Sequence, residues 1–211
     1  MLFSKRPWLP LPPLYAILDL EQTDGRSPDR VLRQLLEGGA KMIQLRAKAV
    51  SSRDFLELAQ IARQLTASFN CQLIINDRVD IALASAADGA HLGQEDLPLQ
   101  VSRKLLGSKI IGISTHTFDQ AKEAEENGAD YIGFGPMFGT STKDTGYGAR
   151  GLEMLAQLRE VVALPIVAIG GITEKTVEDV WRSGADAAAM ISDILKAEEI
   201  TAKVKAILAR R

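Results

Sequence analysis

"NGADYIGFG", Asn127 to Gly135, makes three statements in a row. Asn-Gly stops a helix, Ala-Asp crosses a short gap, and Tyr-Ile-Gly-Phe-Gly continues as a strand. The same word returns as "GGAKMIQ" (Gly38–Gln44), "AADGAHL" (Ala86–Leu92) and "SGADAAA" (Ser183–Ala189). Each is a helix stop, a small residue, then a strand. The intervals between them are unequal, so this is one local solution reused rather than a solenoid repeat.

Working outward from that word, short apolar runs punctuate the chain. They are Leu14–Leu18, Lys41–Leu45, Gln72–Asn76, Gly89–Gly93, Lys109–Ser114, Asp130–Gly135, Pro165–Gly171 and Ala187–Ser192. Several are apolar at consecutive positions, as strands covered on both faces should be. Helices with readable ends lie between them. Ser27-Pro28 is an N-cap followed by proline at the first helical position, with Val31, Leu32, Leu35 and Leu36 at helical spacing behind it. Ser51-Ser52, Thr117 and Thr173 open further helices, the last two ending at Asn127-Gly128 and Gly184, and a final helix covers about residues 197–208. Eight strands alternating with helices predict an α/β fold, a single (β/α)8 TIM barrel. The alternative is a doubly wound open sheet. Its glycine fingerprint after the first strand is missing, because Leu18 is followed by "DLEQTDGRSP". No linker is evident, so one domain is expected over residues 1–211. Residues 1–13, broken by Pro7, Pro10, Pro12 and Pro13, read as an extended N-terminal arm.

Bulk properties narrow the function. The chain has 211 residues and a net charge of −2, so no global field recruits nucleic acid or a membrane surface. No apolar run approaches the ~18 residues of a membrane span. The single cysteine, Cys71, excludes an intrachain disulfide and fits a reducing, cytoplasmic setting. Its expected role is a buried filler.

In a barrel the site gathers at the carboxyl ends of the strands. Polar residues crowd those ends: Gln44, Arg46 and Lys48 after strand two, Asn76, Asp77 and Arg78 after strand three, His91, Gln94, Glu95 and Asp96 around strand four, and Ser114, Thr115 and His116 after strand five. Residues i, i+2 and i+4 share a strand face, so Gln44, Arg46 and Lys48 point together if the strand persists that far, and they suit a polyanion such as diphosphate. Solvated surface ion pairs are the bland alternative. Asp77 and Asp96 close neighbouring strands. Two carboxylates without a histidine or cysteine cluster suit Mg²⁺, although either could instead cap a helix, or Asp77 could pair with Arg78. Gly170-Gly171 and Ile191-Ser192 offer backbone N–H groups for a phosphate, with ordinary turn chemistry as the alternative. His91, inside a strand, reads as a packed residue, as do Tyr131 and Trp181. His116 sits at the rim and either touches a ligand or begins a helix. Glu95 is an alternative carboxylate beside Asp96.

"QLRAK", "IINDRVDIAL", "ADGAHLGQEDLP", "IGIST", "GFGPMFGTSTK", "VAIGGI" and "MISDI" occur in this order across almost the whole chain. Together they resemble the thiamine-phosphate synthase family. The resemblance implies a (β/α)8 barrel, a Mg²⁺ cofactor and a transferase of thiamine biosynthesis. The implied reaction joins 4-amino-2-methyl-5-hydroxymethylpyrimidine diphosphate to thiazole phosphate, giving thiamine phosphate and diphosphate through a dissociative pyrimidine-methyl cation. By position it assigns Gln44, Leu45, Arg46, Ala47, Lys48, Asn76, Ser114 and Lys143 to the pyrimidine diphosphate, with Arg46, Lys48, Ser114 and Lys143 as the catalytic groups. Asp77 and Asp96 become metal ligands. Thr140, Ser141, Thr142, Gly171, Ile191 and Ser192 take the thiazole phosphate. The glycine-rich segment around Lys143 becomes a loop that opens for two substrates and closes over them. The chain departs from the family's usual pattern at Gly139, in "DTGYGARG", and in "GADAAAMISDI", which sets Asp193 close to the phosphate position. The rivals are a thiazole tautomerase using His116, a sensor barrel without activity, and another phosphate-handling isomerase or aldolase. The expected partners are the two small-molecule substrates, with no nucleic acid and no membrane; a homo-oligomer stays open.

Overall fold

The structure, a computed structural model, describes residues 9–139 and 148–211. Its strands are β1 (Leu14–Asp19), β2 (Met42–Arg46), β3 (Gln72–Asn76), β4 (Gly89–Leu92), β5 (Ile110–Thr115), β6 (Tyr131–Phe134), β7 (Ile166–Ile169) and β8 (Ala187–Met190). They pair in chain order, all parallel, and Leu14 of β1 meets Ala188 of β8 to close the barrel. The open-sheet alternative is therefore excluded.

The described helices are α1 (Pro28–Glu37), α2 (Ser52–Ser68), α3 (Val79–Ala84), α4 (Leu99–Leu106), α5 (Phe118–Glu126), α6 (Gly151–Val161), α7 (Val177–Arg182), α8 (Ser192–Leu195) and α9 (Ile200–Leu208). Ser27 and Ser51 precede α1 and α2 as expected, and the Ser51 side chain accepts from the Asp54 N–H. Thr117 caps α5 in the same way through Gln120. One start differs. Thr173 does not open α7, because its N–H donates to the Thr176 hydroxyl and its carbonyl accepts from the Thr176 N–H. That turn delays the helix to Val177. The last helical pattern also begins later than expected, at Ile200. Among the described residues no helix is long and apolar enough to cross a membrane.

Strand alternation divides the core into two layers. Leu14, Ala16 and Leu18 of β1 face the helices, with Ile43, Leu45, Leu73 and Ile75 in the same layer. Tyr15 and Ile17 face the barrel axis, where they meet Met42, Ile74, Tyr131, Val167 and Ala189. Leu9 and Leu11 pack against this inner cluster, so the described part of the arm covers the barrel's lower mouth. Trp181 packs as expected, its indole N–H donating to Pro13 O at 3.0 Å. Cys71 is also a buried filler, and burial pushes its thiol up to about 12.

Tyr131 needs room inside the barrel, and Gly112 on the neighbouring strand provides it. A Cβ at position 112 would lie 2.0 Å from a Tyr131 ring carbon. The stems of the glycine-rich segment are pinned as well. Met137 and Phe138 donate to Ile169 O and Gly170 O, while Arg150 and Gly151 donate back to Pro136 O and Met137 O. Thr140, Ser141, Thr142 and Lys143, and with them the expected loop closure, lie outside the described residues.

Candidate active site

A cavity of about 330 Å³ opens at the carboxyl ends of the strands. That is at the small end of the ~300–1,000 Å³ usual for small-molecule sites. Its wall includes Gln44, Arg46, Asn76, Ser114, Gly171, Ile191 and Ser192, all proposed from sequence. Leu45 lies on the opposite face of β2, fully buried among the helices, and Ala47 is also buried. A contact from either to a ligand in the barrel would therefore come from backbone rather than side chain.

Gln44 and Arg46 point inward together, as the two-residue period requires. Arg46 is held by a group that sequence reading did not select. Its guanidinium donates to Asp19 Oδ2 at 2.5 Å and to Glu21 Oε2 at 3.3 Å. Asp19 is 1% exposed at the end of β1, and its other oxygen accepts from the Glu21 N–H. Tyr15, Ile17 and Asp19 share one face of "LYAILD". That alternation was the available signal for Asp19.

The strand does not persist to Lys48: β2 ends at Arg46, so Lys48 does not share the face of Gln44 and Arg46 or line the cavity, and its Nζ lies 3.4 Å from Asp77 Oδ2. Asp77 and Asp96 come together: the Asp77 carboxylate lies close enough to act on the charge of Asp96. Burial pushes Asp96 upward, the Gly93 N–H pulls the other way, and the neighbouring Asp77 charge pushes it up again. Its carboxyl consequently sits above the usual carboxylate range. Asp77 has φ +63°, a left-handed conformation uncommon for a residue with a side chain. Its N–H donates to His91 O at 2.8 Å, which holds the turn in place. The bland readings of both carboxylates fail. Arg78 pairs with Asp80 rather than Asp77, and Asp96 accepts from Gly93 N at 2.6 Å instead of capping α4. Glu95 is exposed and does not join them.

Among the described residues no group of three or more histidine, cysteine or acidic side chains gathers as metal ligands. A pair of carboxylates is nevertheless the donor set for a hard divalent cation that completes its shell with water and substrate oxygens. Two features fit such an ion. The Lys48 ammonium already lies beside the pair, so the spot attracts positive charge. A Cβ at Gly93 would lie 3.1 Å from Asp96 Oδ2, so glycine leaves that carboxylate room to approach.

His91 and Tyr131 pack as expected, their rings stacked with centroids 5.5 Å apart, and they also do more. Both line the cavity. Gln44 Nε2 donates to the Tyr15 hydroxyl at 3.0 Å, and the Tyr15 and Tyr131 hydroxyls are 2.7 Å apart. Tyr131 then meets His91 Nδ1 at 3.0 Å, and His91 Nε2 meets Ser114 Oγ at 2.9 Å. Burial raises both phenols well above their ordinary range, so they remain neutral hydroxyls. With Gln44 as first donor, each proton in the chain is used once if it runs Gln44 to Tyr15 to Tyr131 to Nδ1 of His91. His91 then carries its proton on Nε2 and donates to Ser114, whose own hydroxyl proton is directed to the cavity. His116 also lines the cavity, with Nδ1 donating to Gly135 O at 2.7 Å.

Across the mouth the lining carries no charged side chain among the described residues. Gly171 has φ +66°, and a Cβ there would lie 2.6 Å from Gly139 O. Only glycine satisfies both constraints. Gly171, Ile191 and Ser192 line the cavity just past the ends of β7 and β8.

A barrel with such a rim has many relatives, and the comparisons single out one line. The family model described as thiamine monophosphate synthase matches residues 14–194. A thiamine-phosphate synthase of Chloroflexus aurantiacus is 42% identical over 93% of this chain and 91% of its own length. One from Syntrophomonas wolfei is 46% identical over 91% and 92%. The solved structure of a thiamine phosphate pyrophosphorylase from Pyrococcus furiosus covers 94% of both chains at 37% identity, with a TM-score of 0.87. Likeness of this extent spans the barrel from its first strand to the helix behind its last. The chain belongs to the thiamine monophosphate synthase family.

Proposed function

We propose that this enzyme joins 4-amino-2-methyl-5-hydroxymethylpyrimidine diphosphate to thiazole phosphate, releasing diphosphate, with Mg²⁺ bound between Asp77 and Asp96. The observation that carries the reading is the meeting of those two carboxylates beside Lys48, directly after Asn76, which lines a cavity floored by hydrogen-bonding groups. When bound, Mg²⁺ would neutralise charge on the diphosphate oxygens.

The chain's own residues account for the rest. The carbon–oxygen bond to the diphosphate breaks, and the methylene carbon gains a bond to the thiazole nitrogen. Negative charge grows on the departing group, so Arg46 and Lys48 stabilise the transition state more than the ground state. Asp19 and Glu21 hold Arg46 at the rim before substrate arrives, which lowers the reorganisation required. Ser114, oriented by His91, offers its hydroxyl to the pyrimidine diphosphate, while Gln44 and Asn76 complete that side of the wall. No side-chain nucleophile is required. The apolar patches of Ile17, Val167 and Ile169 keep water from a carbocation formed at the centre. Gly171, Ile191 and Ser192 hold the thiazole phosphate through main-chain N–H groups. Lys143 and the Thr140–Ser141–Thr142 run, carried over from the family resemblance, would complete the diphosphate and phosphate sites.

The test is a coupling assay with both substrates, with and without Mg²⁺, following thiamine phosphate. Product that forms only with Mg²⁺ supports the proposal. Product at full rate after exhaustive chelation removes the metal from it, and no product under any condition removes the activity.

A further inference from the structure

Asp193 poses a problem for a phosphate site, because it places a carboxylate one residue beyond Ser192. The side chain is engaged elsewhere. Its Oδ2 accepts from the Glu174 backbone N–H at 3.0 Å and from Lys203 Nζ at 3.0 Å. Lys203 lies on α9 and also donates to Glu174 Oε2 at 3.1 Å. Arg210, just past α9, reaches Glu174 Oε1 at 3.0 Å and Glu178 Oε1 at 3.1 Å. Lys203, Asp193 and Glu174 are only 21%, 21% and 25% exposed, so solvent screens this cluster less than a surface pair. Burial opposes the charge on Lys203, but its bonds to Asp193 and Glu174 outweigh that and hold it above its usual range.

The two backbones tied together here carry the proposed phosphate cradle. Glu174 lies three residues beyond Gly171, and Asp193 adjoins Ser192. No strand ladder connects these loops past the ends of β7 and β8; the register stops at Ile169 and Ala189. The Asp193 carboxylate spans that gap. Lys203 fixes the carboxylate from an element anchored elsewhere, since Val204 and Ile207 of α9 are fully buried and α9 packs on α1.

We propose that Lys203 is a positioning residue for the phosphate cradle: by clamping Asp193 and Glu174 it sets the separation of the β7 and β8 loops and turns the Asp193 charge away from the bound phosphate. This rests on the reading that those loops hold the thiazole phosphate. It is independent of the metal and of the diphosphate side.

The experiment measures binding by calorimetry in wild type, Lys203→Met, Lys203→Arg and Asp193→Ala, with thermal unfolding to verify folding. Lys203→Met weakens thiazole phosphate about tenfold, while Lys203→Arg stays within about threefold. Pyrimidine diphosphate affinity stays within about twofold in all three, because its side of the rim is untouched. Asp193→Ala separates positioning from repulsion. It removes a negative charge from beside the phosphate, yet binding weakens several-fold because the loops lose their tie. Tighter binding in Asp193→Ala overturns the proposal, as do equal losses for both ligands. Inorganic phosphate, titrated in parallel, reads the cradle alone. If wild type makes no thiamine phosphate but both Lys203→Met and Asp193→Ala weaken inorganic phosphate, the activity reading fails and the clamp stands. If wild type couples the substrates and neither variant changes affinity for either phosphate ligand, the clamp fails and the activity reading stands.

Discussion

Where β1 to β4 end, ionisable side chains gather in two groups: Arg46 pairs with Asp19, and Lys48 pairs with Asp77 beside Asp96. Where β7 and β8 end, Gly171, Ile191 and Ser192 line the cavity, none of them charged, and the neighbouring Asp193 accepts from Lys203 and from the Glu174 N–H. The difference matches two kinds of anion. A leaving diphosphate gains charge during reaction and rewards strong, fixed cations. In the proposed reaction the phosphate that only anchors a substrate carries the same charge throughout, so backbone dipoles would hold it without biasing the chemistry.

The comparison can be broken by substitution, starting with the largest effect. Asp77→Ala should remove Mg²⁺-dependent coupling, with kcat falling about a thousandfold if several kcal/mol of charge stabilisation are lost. The fold should survive, and circular dichroism with steady-state assays checks both. Unchanged turnover would remove Asp77 from the metal site. Asp19→Asn should reduce kcat about tenfold with smaller change in thiazole phosphate KM, because Arg46 loses its charged partner but stays in place. An effect confined to the thiazole phosphate KM would place Asp19 on the wrong side. Gly171→Ala should raise that KM about tenfold and leave kcat within about threefold, since the added Cβ disturbs a holding site and not a reacting one. Ser192→Ala should matter least, about threefold in the same KM, because the main-chain N–H remains. A loss as large as that of Asp77→Ala would show that the β8 side works through its hydroxyl.

The same contrast explains what could be read from the sequence. Local patterns located the strands, and alternation placed Gln44 and Arg46 on one face. Asp77 and Asp96 could be paired in advance because neighbouring strands of a barrel end side by side. Closure through Leu14 and Ala188 is not a local property, so the pattern alone could not exclude an open sheet. The packing of Tyr131 and His91 was legible, but their hydrogen bonds were not. Their polar role depends on Tyr15, 116 residues away from Tyr131 in the chain. Asp193 could be located but not aimed, since its direction is decided by Lys203 on a later helix. The Thr173 helix start failed because two hydroxyl residues three apart can satisfy each other first.

One feature of the interior restricts how this enzyme can change. The Tyr131 ring occupies the volume that a side chain at Gly112 would need. The two positions therefore behave as a single residue divided between adjacent strands. A lineage can shrink the tyrosine first and enlarge the glycine afterwards, but the reverse order passes through a collision. Variation of pocket depth in this chain is a one-way path, and any engineering of substrate size must enter it at Tyr131.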